Sequence, residues 1–355
     1  MSAVLAAGSL DVASSGGVWS AAWKRFRSDR VGLVSLGIVA AFFVLILGSA
    51  VGLVARGWQN EVGVPNAPPH FLGPAPPADT GAIAQPKGPN VDISDIDPLK
   101  LRYKEWAERA AQLKTVEAVK SETLPFGGDR LGRDVIAKAV KGAEISILVG
   151  VLAALVATLI GTLLGALGGF FGSKLGDLLE WVYNVFTSIP GILLIFTFAA
   201  VLNRADAIIP RGVWSIVIIL GLTGWTGIYR LVRAEFIKHA VREYVRAAEA
   251  IGASTFSRIF RHILPNVSHV ALVQLSIHAV GFIKAEVILS YLGLGVAVDQ
   301  VSWGTMLAEA QSELILGHWW QLAAATLFMC VFVTAFSLMT DAMRDALDPK
   351  LRGLE

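Results

Sequence analysis

Three polar side chains stand in an otherwise apolar stretch of the last third of the chain: Gln274, His278 and Glu286. On a regular helix Gln274 and His278 lie about 40° apart, and Glu286 lies about 80° beyond His278, so the three share a broad arc. Ionisable groups at membrane depth usually face a bundle interior or a water-filled path. These three are therefore the candidate translocation-path residues. The rival reading is a structural network in which Glu286 pairs with a distant Lys or Arg and His278 is hydrogen-bonded inside the bundle. Lys284 points about 160° away from Glu286 and does not serve as its partner on that helix.

Other chemistry is largely excluded. The six His show no HExxH or similar ligand spacing, and the single cysteine, Cys330, permits no intrachain disulfide. No candidate metal site and no catalytic set emerges. The chain has no GxxxxGK[ST] phosphate loop, so it is not an ATPase by that route. A net charge of +2 gives no case for a nucleic-acid partner.

A second stretch is polar for a different reason. Glu243 to Asn266 reads EYVRAAEAIGASTFSRIFRHILPN. Five basic residues lie between Lys238 and Arg261, around a segment of small residues: Ala247, Ala248, Ala250, Gly252 and Ala253. Ala favours helix and Gly ends one. The reading is a short helix to about Ile251, a break at Gly252, a second helix from Ser254 or Thr255, and a stop near Pro265. The first helix has little bulk, so another protein surface can approach its backbone.

These stretches need elements to position them. The chain has 355 residues, 54% hydrophobic and 16% charged, with mean hydropathy +0.61. Soluble domains carry about 25% charged residues, so this is an all-α integral membrane protein. Six segments qualify as transmembrane helices: 31–55, 145–173, 181–203, 212–235, 267–294 and 314–340. Residues 1–30 carry Lys24, Arg25, Arg27 and Arg30 ahead of the first span, while Arg56 stands alone after it. The positive-inside bias places the N-terminus in the cytoplasm. Counting crossings puts 56–143 outside, the loop 237–266 inside and the tail 341–355 inside. The loop 204–211, with Arg204 and Arg211, runs against this bias. The segment around Trp23 and Phe26 suits a surface-lying helix against membrane lipid.

Ten of the fourteen prolines lie between Pro65 and Pro125, so much of the extracytoplasmic insertion is extended. An amphipathic helix is predicted within it near 98–120, opened by Asp97-Pro98. In the second span Gly161, Gly165 and Gly169 form two overlapping GxxxG steps, a flat strip for close helix packing within the chain or against a second subunit. Pro190 predicts a kink in the third span.

Several motifs now carry a resemblance. Ala247-Ala248, three residues, Gly252 and a Leu264-Pro265 end resemble the cytoplasmic "EAA" loop of membrane subunits of bacterial ATP-binding cassette importers. Arg246 stands where that family has its name-giving Glu, and His262 replaces an Ile, as in the peptide-importer branch. Phe126-Gly-Gly-Asp-Arg-Leu-Gly-Arg-Asp-Val135 and Glu286-Val-Ile-Leu-Ser-Tyr-Leu-Gly-Leu-Gly295 resemble motifs of the C-type permease of dipeptide, oligopeptide and nickel importers. So does the tail from Asp341 to Arg352. The resemblance implies a type I importer permease with a coupling helix at Arg246, Ala247, Ala248, Glu249, Ile251, Gly252 and Ala253. It implies a second, homologous permease subunit, two ATPase subunits that bind ATP and Mg, an external solute-binding protein, and a place in the bacterial inner membrane. Cargo stays open between di- or oligopeptides, a peptide antibiotic and a nickel chelate. Other classes left open are a proton-coupled secondary transporter and an intramembrane protease. The insertion at 57–122 is longer than in most members, so the resemblance implies no role for it.

Overall fold

The computed structural model describes residues 18–74, 98, 100–112, 120–202, 212–297 and 299–347. The helices, in order, are α1 (Val18–Ser28), α2 (Arg30–Ala50), α3 (Lys100–Gln112), α4 (Val135–Phe171), α5 (Ser173–Ser188), α6 (Gly191–Leu202), α7 (Val213–Thr223), α8 (Thr226–Ala240), α9 (Glu243–Ala250), α10 (Thr255–Ser257), α11 (Leu264–Tyr291), α12 (Trp303–Ile315) and α13 (Trp320–Leu347). Among the described residues β pairing is confined to isolated bridges, such as Gly63 with Ser121. Four continuous helices are long and apolar enough to cross a membrane, and two bent pairs bring the spanning segments to six.

The third predicted span bends at Pro190, as that residue led one to expect, and the fourth bends as well. The segment predicted at 181–203 is two helices, α5 and α6, set at 91°. Pro190 lacks an N–H and forces its predecessor out of helical geometry, and Ile189 is extended at φ −96°, ψ 131°. The segment predicted at 212–235 bends by 43° between α7 and α8, around Gly224 and Trp225, and continues to Ala240. The first span stops at Ala50, and 51–55 turn away through Gly52 at φ 76°. The second begins at Val135, capped by the Asp134 carboxylate, which accepts from the Ile136 and Ala137 amides. The last span starts at Trp320, because 314–319 close α12 and turn through Gly317 at φ 88°. Pro265 does not end a helix. It sits in the first turn of α11, where a missing N–H costs nothing, and a π-helical turn at Arg258–Ile263 joins α11 to α10.

α4 is the axis of the bundle. Its 37 residues span about 55 Å at 1.5 Å per residue. The glycine strip of α4 rests on α8 of the same chain. A Cβ at Gly165 would lie 2.8 Å from the Tyr229 carbonyl oxygen, and one at Gly169 would lie 2.6 Å from Phe236 Cβ. A Cβ at Gly161 would meet the Trp225 carbonyl oxygen at 2.7 Å. Only glycine lets these backbones approach so closely.

Of the amphipathic helix expected near 98–120, the described part is α3, exposed along its side chains from Arg102 onward. Most of the rest of the insertion, residues 1–17, the loop 204–211 and the tail after Leu347 lie outside the described residues.

Candidate functional site

The loop between α8 and α11 is built as a closed unit. α9 turns Val245 and Ala248 inward, both buried, and leaves Arg246, Ala247, Glu249 and Ala250 exposed. Ile251 follows at 86% exposure. Gly252 takes φ 87° with open space where a Cβ would stand, so it serves the turn and not close packing. The Ala253 amide donates to the Ala248 carbonyl at 2.9 Å, and Gly252 N donates to Glu249 O at 2.9 Å, the paired bonds of a helix C-terminus. Ser254 caps α10, accepting from the Ser257 amide.

Arg258 clasps the loop. Its guanidinium pairs with Glu249 at 2.6 Å and lies 5.4 Å from the centre of the Phe170 ring at the end of α4. Phe256 is 70% exposed and stacks on Phe260 with centroids 4.4 Å apart. The surface offered outward sets Ala247, Ala250, Ile251 and Phe256 beside two exposed charged side chains, Arg246 and Glu249. Ala248, one of the residues expected at the docking surface, turns its side chain inward and is 4% exposed. Arg258 and Phe256 escaped the sequence reading, which counted Arg258 only as a basic residue.

The polar arc of α11 separates into two places. Glu286 is fully buried, and Ser290 Oγ donates to its Oε1 at 2.6 Å. The Ser146 hydroxyl of α4 and the Ser302 hydroxyl at the start of α12 line the same carboxyl. Ser146 Oγ also accepts from the Trp303 amide at 3.2 Å. Glu286 is thus held by a bond within α11, next to α4 and α12, while its Oε2 is buried without a hydrogen-bond partner and faces no open path in this structure. Twelve residues away, about 18 Å along the helix, Gln274 lines a cavity of about 280 Å³ with Leu231, His269, Val273 and Arg344. His278 Nδ1 lies 2.9 Å from the Gln274 carbonyl oxygen, and its ring meets Phe282 edge-on. The structure joins Gln274 with His278 and leaves Glu286 apart.

A third centre went unforeseen. At the start of α4, Lys138 is 1% exposed and bonds Asp129 at 2.8 Å, Glu309 of α12, and Gln321 of α13 at 3.3 Å. Arg133 adds a 2.6 Å pair with Asp129. The Arg130 amide donates to Glu313 at 3.0 Å, and Trp320 Nε1 donates to the Gly128 carbonyl at 2.6 Å. Burial alone would raise the Asp129 carboxyl, but the Lys138 charge and the bonds from Arg133 and Lys138 hold it below the ordinary value. Burial pushes the Glu313 carboxyl up, against the opposing Arg130 bond and Lys138 charge. The glycines of Phe126–Val135 have steric reasons. Gly127, at φ 99°, would put a Cβ 2.5 Å from the Trp320 ring, and Gly132, at φ 77°, would put one 2.0 Å from the Gly63 carbonyl oxygen.

A bundle of six spanning segments with an apolar-faced loop at one end and a charged cap at the other defines a multi-pass membrane permease. The chain belongs to the family described as binding-protein-dependent transport system inner membrane component, whose model matches residues 145–353. It is 36% identical over 227 residues to the dipeptide transport system permease protein DppC of Bacillus subtilis, covering 64% of this chain and 69% of that one. It is equally identical, over 64% of this chain and 72% of the relative, to the oligopeptide transport system permease protein OppC of the same organism. A dipeptide permease DppC of Lactococcus lactis aligns over 93% of this chain and 90% of its own length at 27% identity. Among solved structures, a chain of the MetNI methionine ABC transporter superposes with TM-score 0.48 at 17% identity, over 59% of this chain and 96% of that one. The similarity is thus to C-type peptide permeases of ATP-binding cassette importers.

Proposed function

We propose that this chain is one permease subunit of an importer that carries di- or oligopeptides across the inner membrane. Alternating access would be driven by ATP hydrolysis on partner subunits. ATP and Mg would be bound by those partners, and a second homologous permease and an external solute-binding protein would complete the assembly. Both termini and the α9 loop face the cytoplasm in this proposal, and 56–143 faces outward, from the basic flank of the first span. The peptide cargo rests on the two permeases at 36% identity, one for dipeptides and one for oligopeptides by name. A nickel chelate or a peptide antibiotic is the alternative cargo.

The observation that carries the mechanism is the outward set Ala247, Ala250, Ile251 and Phe256 on a loop clasped to α4 through Arg258 and Phe170. An apolar surface of this kind, held on a rigid element, suits a groove on another protein. Force applied at α9 would reach α4 through the clasp. Ile251→Asp with Phe256→Ser should leave insertion and yield unchanged while an ATPase subunit no longer co-purifies. Retention of the ATPase at wild-type levels, with peptide uptake intact, would remove this loop from the mechanism.

A further inference from the structure

A groove of about 590 Å³ runs between α2 and α13. Its walls are mostly aliphatic, with Val34 and Ile38 from α2 and Val331, Ala335 and Leu338 from α13, and they also carry Ser35, Cys330 and Thr334. Arg30 closes one end. From Arg30 to Ile38 the lining extends about 12 Å along α2 at 1.5 Å per residue. Arg30 is exposed and makes no ion pair among the described residues. The neighbouring Asp29 carboxylate is engaged elsewhere, accepting from the Val31 amide at 2.9 Å as the cap of α2.

The same end carries further cations and a second apolar hollow. Lys24 and Arg27 of α1 are exposed. Trp23 and Phe26 of α1, with Leu36, Met339 and Met343, line a cavity of about 240 Å³ on the other side of α13. Phe26 is buried against the α13 end, near Ala342 and Ala346, while Trp23 stays 55% exposed. α1 therefore lies across the end of the α2–α13 seam, with a half-exposed indole at the depth of the cations. An indole beside basic side chains is the arrangement of a membrane interface.

We propose that this seam is a binding site for one anionic phospholipid, with its phosphate on Arg30 and an acyl chain in the α2–α13 groove. The two halves of the site match the two halves of such a molecule. A guanidinium binds phosphate oxygens through two parallel N–H groups, and lysine and arginine beside it favour net negative charge. The lining is predominantly apolar and takes a hydrocarbon chain, with the Ser35 and Thr334 hydroxyls as its few polar groups. A zwitterionic lipid would bring its own cation to a cluster that is already cationic. A helix from another subunit would fill the groove but leave the Arg30 guanidinium without an anion. The site stands on α1, α2 and α13 alone and does not depend on the transported cargo or on the docking loop.

The test uses the full chain, with the subunits that co-purify, in nanodiscs. These contain phosphatidylglycerol or phosphatidylcholine carrying a photoactivatable group on the acyl chain. After irradiation, lipid adducts on peptides covering 30–38 and 330–338 are counted by mass spectrometry. Phosphatidylglycerol should label the groove about fivefold more than phosphatidylcholine, the gain of roughly one favourable cation–anion contact at a membrane surface. Arg30→Gln should bring that ratio near one, Arg30→Lys should keep most of it, and Lys174→Gln, an exposed cation elsewhere, should not change it. Arg30 is at the surface, so these variants should assemble; their elution with the same subunits checks this. A ratio of one in the wild type would overturn the proposal. So would a ratio unchanged by Arg30→Gln, or adducts absent from the groove because a second protein chain covers it.

Discussion

The two ends of α4 are built on opposite principles. At the Val135 end, charge is buried and answered: Lys138 is enclosed by Asp129, Glu309 and Gln321, and Asp129 by Arg133 as well. At the Phe171 end, apolar side chains are turned outward: Ile251 and Phe256 stand exposed, and the Arg258–Glu249 pair merely holds the loop that displays them. The first end answers most of its charge within the chain, although Glu313 Oε2 is buried without a hydrogen-bond partner. The second leaves large apolar side chains in the open, and in the proposed function a partner surface covers them. A conformational change imposed at the second end has a stiff helix about 55 Å long through which to act, and a cap at the far end that is held by charge to α12 and α13. The charged end is therefore where buried ion pairs concentrate, and the loop end is where the proposed function places coupling to other chains.

The comparison breaks most readily at Lys138. Replacing it with Met keeps the volume but removes one of the two cations that face buried Asp129 and half-buried Glu309, leaving Arg133 alone to answer both. Breaking a buried pair in this way costs about 3–5 kcal/mol. Lys138→Met should sharply reduce the yield of monodisperse protein in mild detergent and lower its thermal midpoint. If the variant is as stable as the wild type, the charged end is not a structural clamp, and the contrast between the ends fails.

Within the loop a smaller effect sharpens the contrast. Ala247 and Ala248 are adjacent on α9 and about 100° apart around it. Ala248 is buried at 4% exposure, whereas Ala247 is exposed. Ala248→Leu overfills the chain's own core and should cost about 1–3 kcal/mol. Ala247→Leu should change stability by less than about 0.5 kcal/mol while weakening ATPase retention, because the added bulk meets only the partner. Thermal unfolding of each variant, alongside quantified ATPase in the purified complex, reads both. Equal losses of stability at the two positions would show that α9 has no free face.

The charged end also has a pH signature with two opposed parts. Asp129 is held below the ordinary carboxyl value, so its contribution is full above about pH 4 and is lost as pH falls through its depressed pKa. Glu313 is raised by burial, so the folded state prefers its neutral form, and its contribution fades as pH rises through that raised value. Glu313→Gln keeps an acceptor for the Arg130 amide and removes the charge. The variant's thermal midpoint should match the wild type at about pH 4, below the ordinary carboxyl value, and exceed it slightly at pH 8. A lower midpoint at pH 8 would mean that the network needs the Glu313 charge, and that the cap carries its negative charge as a unit.

How much of this was legible in the sequence depended on the range of the interaction. Hydropathy pointed to the four long apolar helices and to both bent pairs, because burial in lipid acts on each segment alone. It missed the 91° break at Pro190, where the residue announced a kink but the packing decided its size. The break at Gly252 was legible because a left-handed turn is a local demand. The opposite fates of Ala247 and Ala248 were not, because two identical residues carry no sign of which way a helix is rotated. The Lys138 network was invisible for a different reason. Its members are up to 183 residues apart in sequence, and no periodicity links them. The Gly and Asp residues at 127–134 were noticed as a motif, but the Trp320 ring and the Gly63 carbonyl that require them come from distant parts of the chain.

Glu286 supplies the smallest expected effect and a control for the reasoning about charge. It is a buried carboxyl, like Asp129, and 0% exposed. Unlike Asp129, it is met by hydroxyls: Ser290 donates to it, and Ser146 and Ser302 line it. No Lys or Arg among the described residues pairs with it, so its removal strands no cation. A glutamine there keeps an oxygen to accept from Ser290 and has nearly the same volume. The cost of Glu286→Gln should therefore stay below about 1 kcal/mol, within the range of a single neutral hydrogen bond, and far below that of Lys138→Met. Assembly with the co-purifying subunits should be normal, and peptide uptake should be normal too, since the carboxyl faces no open path. A large loss of assembled complex would reveal an ionic partner for Glu286. Normal assembly with altered uptake or selectivity would return Glu286 to the translocation path, through a conformation in which α11 and α12 separate and the carboxyl is uncovered.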